Sequence, residues 1–231
     1  MIALQEQLEP QELTALDRMM ARWEIAKRDP IGFMKWFVFT ADQHDKEEPC
    51  KRFPWHLPHI QYITRLWQAN QRLSLLKSRQ MKMTWLFVIL SLWEAIFHKG
   101  RLIMLQSKRE EDAIGDSNSG DGLIGRAKYI MEHMPFQEQL VPGYDPTGKM
   151  LRFRDTGSTL WAIPQGGSII RQRTASGIFS DEAAFQPDAS DAYTAAGPCI
   201  RGGGWFVSLT TPDYSDGGHT RRLHEDTLSD S

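Results

Sequence analysis

The chain has 231 residues, 41% hydrophobic and 24% charged, with a net charge of −2. That is enough for one large or two small domains around a buried core, and it excludes a disordered tail, a collagen-like chain and a disulfide scaffold. The balance of 27 Lys+Arg against 29 Asp+Glu also excludes a protein that coats nucleic acid through bulk positive charge.

In chain order, residues 4–28 carry Leu4, Leu8, Leu13, Leu16, Met19, Met20 and Trp23 at roughly helical spacing, so one or two amphipathic helices are expected there. The N-terminus lacks the basic and apolar regions of a signal peptide. Pro30 opens a second helical stretch, IGFMKWFVF. Residues 41–57, polar and with two prolines, read as a loop, and the stretch from Pro58 to Asn70 reads as a helix. From Arg72 onward the pattern becomes short apolar runs separated by helical segments. The runs are 73–76, 101–106, 150–153, 159–163, 167–171, 177–180 and 204–209. Such runs suggest a mostly parallel sheet covered on both faces. Trp85 to Phe97 is the most apolar stretch. It is shorter than the ~20 residues that span a bilayer and contains Glu94, so it reads as a buried helix and no membrane partner is expected. Residues 115–122, GDSNSGDG, read as a flexible loop. Cys50 and Cys199 belong to no Cys/His cluster, so no zinc site is expected and a reducing cytosol is the default.

Three segments carry chemistry. The first runs from a strand at 73–76 through Lys77-Ser78-Arg79-Gln80-Met81-Lys82-Met83-Thr84 into the apolar helix. A strand, short loop and helix put unpaired backbone N–H groups where a phosphate can accept from them. A lysine adds a point charge, and a Thr hydroxyl can ligate Mg²⁺. By itself the loop matches GxxxxGK[ST] poorly, since it has no glycine and Met83 stands where the lysine belongs. The second segment is a hydrophobic strand that delivers Asp181 and Glu182 to its C-terminal end, where open α/β sheets bind ligands. Asp181 there can hold a metal and Glu182 can activate a water; the same pair also suits a helix N-cap. The third places Thr210 and Thr211 after a buried strand and before Pro212. These hydroxyls can meet a water or a phosphate, or bond to local backbone.

In this order and spacing the three segments resemble the ATPase domain of the large terminase subunit of tailed bacteriophages, a family that packages double-stranded DNA into preformed capsids. The family's phosphate loop has a deviant form, K-[SA]-R-Q-x-G-x-[ST]-W. Residues 77–85 match it except at Lys82, which replaces a glycine. The Asp181-Glu182 strand matches the family's Walker B motif, and Leu209-Thr210-Thr211-Pro212 resembles its coupling motif.

The resemblance implies a P-loop NTPase of RecA/ASCE-like α/β fold, with a mostly parallel central sheet flanked by helices and an N-terminal helical extension. It implies an extension at 1–57, an ATPase core at 58–215 and a C-terminal segment at 216–231. Lys77 becomes the phosphate lysine, with Lys82 its rival, and Thr84 and Asp181 become the Mg²⁺ ligands. Ser78, Gln80, Met81 and Met83 line the phosphates, Arg79 joins the catalytic set, and Glu182 activates the water. Arg171, at the family's spacing before Glu182, becomes a finger for a neighbouring subunit, with Arg173 competing for the role. Gln61 becomes the adenine contact. ATP and Mg²⁺ are the implied cofactors. Double-stranded DNA, the portal protein, the small terminase subunit and further copies in a ring are the implied partners, in the cytoplasm of a bacterial host. Lys51–Arg52 and Lys108–Arg109 are candidates for gripping DNA. Residues 213–231 are too few for the ribonuclease H-like nuclease domain of a complete large terminase, so ATP hydrolysis without DNA cleavage is expected. Two alternatives stay open: a helicase-type P-loop ATPase, and a non-hydrolysing nucleotide-binding or assembly module.

Overall fold

The structure, a computed structural model, describes residues 14–42 and 45–211. Residues 4–13 of the expected N-terminal helix, Pro212 and the 216–231 segment lie outside the described residues.

Helix α1 (Ala15–Ala26) starts at a capping box, in which Thr14 and Asp17 each bond the other's backbone N–H. Helix α2 (Pro30–Phe37) starts at Asp29, whose carboxylate accepts from the N–H groups of Ile31 and Gly32, with Pro30 at the first helical position. The expected helical stretch after Pro30 therefore stops short of its last residues, and the chain turns extended into β1 (Phe39–Ala41). The expected loop at 41–57 holds a strand, β2 (Cys50–Arg52), antiparallel to β1. Helix α3 (Pro58–Ala69) follows, again with proline at its start.

The main sheet has seven strands. They are β3 (Arg72–Leu76), β4 (Leu102–Gln106), β5 (Tyr144–Thr147), β6 (Met150–Phe153), β7 (Thr159–Ile163), β8 (Gly177–Asp181) and β9 (Trp205–Thr210), in the order β3-β9-β8-β4-β7-β6-β5. Strands β3, β9, β8, β4 and β7 run parallel, and the β5–β6 hairpin adds two antiparallel strands at one side. Every residue of β8 and β9 is buried, as expected for strands covered on both faces. The expected run at 167–171 is not a strand. Residues Ser168–Arg171 form a short helix, α8, pinned by the Gly167 N–H and the Arg171 guanidinium, both of which donate to Asp191.

Helix α4 (Met83–Phe97) is apolar around its whole circumference and lies in the core, as such a helix must. Its polar groups are paired. Ser91 donates to the Phe87 carbonyl (2.7 Å), Trp93 Nε1 to the Ala26 carbonyl (2.7 Å), and Glu94 accepts from Trp205 Nε1 (3.0 Å). Helices α5 (Glu110–Ile114), α6 (Leu123–Glu132) and α7 (Gln137–Leu140) connect β4 to the hairpin, and α9 (Ala189–Arg201) connects β8 to β9. One buried apolar cluster runs from Trp23 of α1 through α4 to Leu209 of β9, so α1 and α2 pack on the same core as the sheet. No helix of the described residues is long and apolar enough to cross a membrane.

Candidate nucleotide-binding site

The parallel topology brings the three chemical segments to one end of the sheet. Strands β3, β9 and β8 are neighbours, with β9 between the other two. The register pairs Leu76 with Thr210 and Asp181 with Leu209, so all three strands end at one level. The Lys77 N–H donates to the Thr210 carbonyl (2.9 Å), which joins the start of the 77–84 loop to the Thr-Thr segment.

Beyond this level lies a cavity of about 390 Å³. Lys77, Gln80, Met81, Lys82, Met83 and Thr84 form one wall of it. Ala41 and Asp42, Ser119, Gly120 and Asp121, and Trp85 with Arg126, complete the lining. The floor is the N-terminus of α4, where unpaired N–H groups and the helix dipole favour an anion. Two loop residues, Gln80 (φ 64°) and Lys82 (φ 57°), adopt the left-handed conformation that glycine takes most easily. Lys82 thus occupies the position where the resembled motif has glycine, and the backbone there has glycine's shape. Ser78 and Arg79 are exposed and lie outside the lining.

Asp181 is buried behind this wall and accepts from the Thr84 hydroxyl. Burial pushes its carboxyl above the usual range, while the charges of Lys77 and Arg126 and the Thr84 hydrogen bond pull it back. The Gln186 amide donates to Ser180 Oγ (3.1 Å) and to the Asp181 carbonyl (2.7 Å), which braces the turn after β8. Glu182 is exposed and also left-handed (φ 54°), a strained conformation of the kind that gathers at functional sites. Thr210 accepts from the Ala184 N–H (3.1 Å) and donates to the Thr211 carbonyl (3.0 Å), so the turn after Glu182 hangs directly on the Thr-Thr segment.

Thr84 and Asp181 offer a hydroxyl and a carboxylate in contact. Among the described residues no group of three or more His, Cys, Asp and Glu is placed to hold a metal. This donor set suits Mg²⁺, which keeps several waters and takes only one or two carboxylates besides substrate phosphates.

Other candidates sit elsewhere. Arg171 is outside this cavity and donates to Asp191. Gln61 is half-buried on α3 and does not line the cavity; the α3 residue that reaches the loop is His59, whose Nε2 lies 3.3 Å from the Met81 carbonyl. Lys51 is paired with Asp45 (2.7 Å) and Asp42 (3.6 Å), which neutralises one member of the Lys51–Arg52 pair considered for DNA.

Sequence reasoning missed Arg126. It follows Gly125 on the first turn of α6, and its guanidinium lies 5.4 Å from the centre of the Trp85 ring. Burial pushes it below the usual arginine range, opposed by Asp181, Asp121 and Glu182. A lone arginine among Leu123, Ile124, Ala127 and Ile130 was the available signal.

No protein-family model matches the chain, and no curated protein does. Among solved structures, the large terminase of bacteriophage HK97 matches with a TM-score of 0.66 at 15% identity, over 88% of this chain and 41% of that one. The fold is that of a phage large terminase. This agrees with the mostly parallel, helix-flanked sheet expected from the resemblance, and the chain spans 41% of the length of that terminase. The ATPase domain of the Thermus phage P74-26 large terminase overlaps less, with a TM-score of 0.45 at 15% identity over 62% of this chain and 59% of that one. The large terminase of a thermophilic bacteriophage in complex with ADP gives 0.48 at 15%, over 68% and 39%. Overlaps that partial add nothing to the fold assignment.

Proposed function

We propose that this chain is the ATPase part of a phage DNA-packaging motor and hydrolyses ATP in the cavity over the 77–84 loop. The observation that carries this reading is the convergence of Lys77, Thr84 and Asp181 at the N-terminus of α4, in a chain with the fold of a phage large terminase.

The phosphates of ATP accept from backbone N–H groups at the start of α4, and Lys77 supplies the positive charge. Thr84 and Asp181 would hold Mg²⁺, which when bound neutralises charge on the phosphate oxygens. Glu182, at the exposed end of β8, orients a water and takes its proton. Loss of the terminal phosphate is passed along the bonds that tie Lys77 to Thr210 and Thr210 to Ala184. Arg171 serves a neighbouring copy in a ring, after its pair with Asp191 opens. Double-stranded DNA, the portal protein and the small terminase subunit are the partners of this reading.

A second reading, a nucleotide-binding assembly module without hydrolysis, draws on one observation: neither Asp181 nor Glu182 lines the cavity. Measuring Mg²⁺-dependent phosphate release, with and without DNA and at rising protein concentration, separates the two. The motor reading expects release that Glu182→Gln abolishes while ATP binding persists. Background release from the wild type, with ATP still bound, favours the module.

A further inference from the structure

Arg126 poses a problem that the rest of the cavity does not solve. Its Nε is buried and has no hydrogen-bond partner. Burying a charged donor without an acceptor is costly, and structures keep such a group only when something else satisfies it. The Trp85 face at 5.4 Å supplies a cation–π contact, which does not satisfy the in-plane Nε–H. Asp181, Asp121 and Glu182 act on the guanidinium through space.

The position of the side chain is also fixed from outside. Trp85 packs edge-on against Tyr129, one turn further along α6 (6.0 Å between ring centres). A methyl group on Gly125 would stand 2.7 Å from the Asp116 carbonyl oxygen, so α6 begins hard against the 115–122 loop. That loop is closed on itself: Gly115 and Gly122 are both left-handed (φ 62° each), and a side chain on either would strike the backbone of the other's end. Arg126 is therefore positioned by close packing and lines the same cavity as Lys77 and Thr84. A planar guanidinium with an unpartnered Nε–H, lining a cavity that also holds Lys77 and the start of α4, fits a phosphate oxygen as its missing acceptor.

We propose that Arg126 contacts the terminal phosphate from within the same chain and lets the site tell a nucleoside triphosphate from a diphosphate. The inference rests on the nucleotide site proposed above. Lys77 and the α4 N-terminus serve any phosphate on the loop. Arg126, which lines the same cavity from α6, serves the phosphate that hydrolysis removes.

The test is calorimetric titration of Mg·ATP and Mg·ADP into the wild type, Arg126→Lys and Arg126→Gln. The expected wild type prefers ATP. In Arg126→Gln, ATP affinity falls by about tenfold or more, the worth of a hydrogen bond to a charged group, while ADP affinity changes less than about twofold. Arg126→Lys keeps the charge but not the fork and falls between. ADP binding is the internal control for folding, because a collapsed cavity loses both nucleotides. Equal losses for ATP and ADP, or a preference unchanged in both variants, would overturn the assignment. A wild type that binds neither nucleotide sinks the nucleotide site itself, which separates that failure from a failure of Arg126 alone.

Discussion

Lys82 departs from the resembled motif, and its backbone explains why glycine would be at home there. A non-glycine residue in the left-handed region carries a penalty of about 1–2 kcal/mol, partly offset by the chain entropy that glycine loses on folding. Lys82→Gly is therefore expected to stabilise the protein by up to about 1 kcal/mol, read from the midpoint of denaturant unfolding. Destabilisation would mean that the lysine side chain is needed where it lies. Cys199 is a different residue-scale case. It is buried on α9, and burial pushes its thiol up to about 11. An acid with a raised folded pKa holds its proton longer when folded, so its contribution to stability is full below about 9 and is lost as pH rises toward about 11. Cys199→Ala is expected to flatten that alkaline fall in thermal midpoint; an unchanged alkaline limb would remove Cys199 as its source.

The apolar strands, the buried helix α4 and the loop between β3 and α4 were legible in the sequence because each has a strong local pattern. Strand β8 delivers Asp181 as its apolar run indicated. What failed had weak or ambiguous local signals. The 167–171 run has too few residues to separate a strand from a helical turn, and the contacts that decide it come from Asp191, far along the chain. Strand β2 is polar and exists through its pairing with β1. Arg126 offered only a weak signal, an arginine in an apolar stretch, since it is the packing of α6 on Trp85 that brings it to the cavity. Packing also sets the sharpest constraint on an element. At Gly177, the first residue of β8, a methyl would stand 2.2 Å from the Trp205 indole on β9. Gly177→Ala is expected to destabilise by about 1–3 kcal/mol, the usual cost of overpacking. A neutral effect in a denaturation curve would show that Trp205 can shift without cost.

At the scale of the whole molecule, the net charge of −2 and the pairing of Lys51 with acids argue against a broad basic face. The proposed motor role therefore calls for local DNA contacts rather than a basic face. The chain spans 41% of the length of the HK97 terminase it resembles in fold. What can be tested on this chain alone is the nucleotide site, on which the rest of the account stands. The most direct measurement is calorimetric titration of Mg·ATP into the wild type, Lys77→Ala and Lys82→Ala. The account predicts a single site in the wild type, affinity weakened by about tenfold or more in Lys77→Ala, and a smaller effect in Lys82→Ala. No binding by the wild type, or binding indifferent to Lys77, would contradict it.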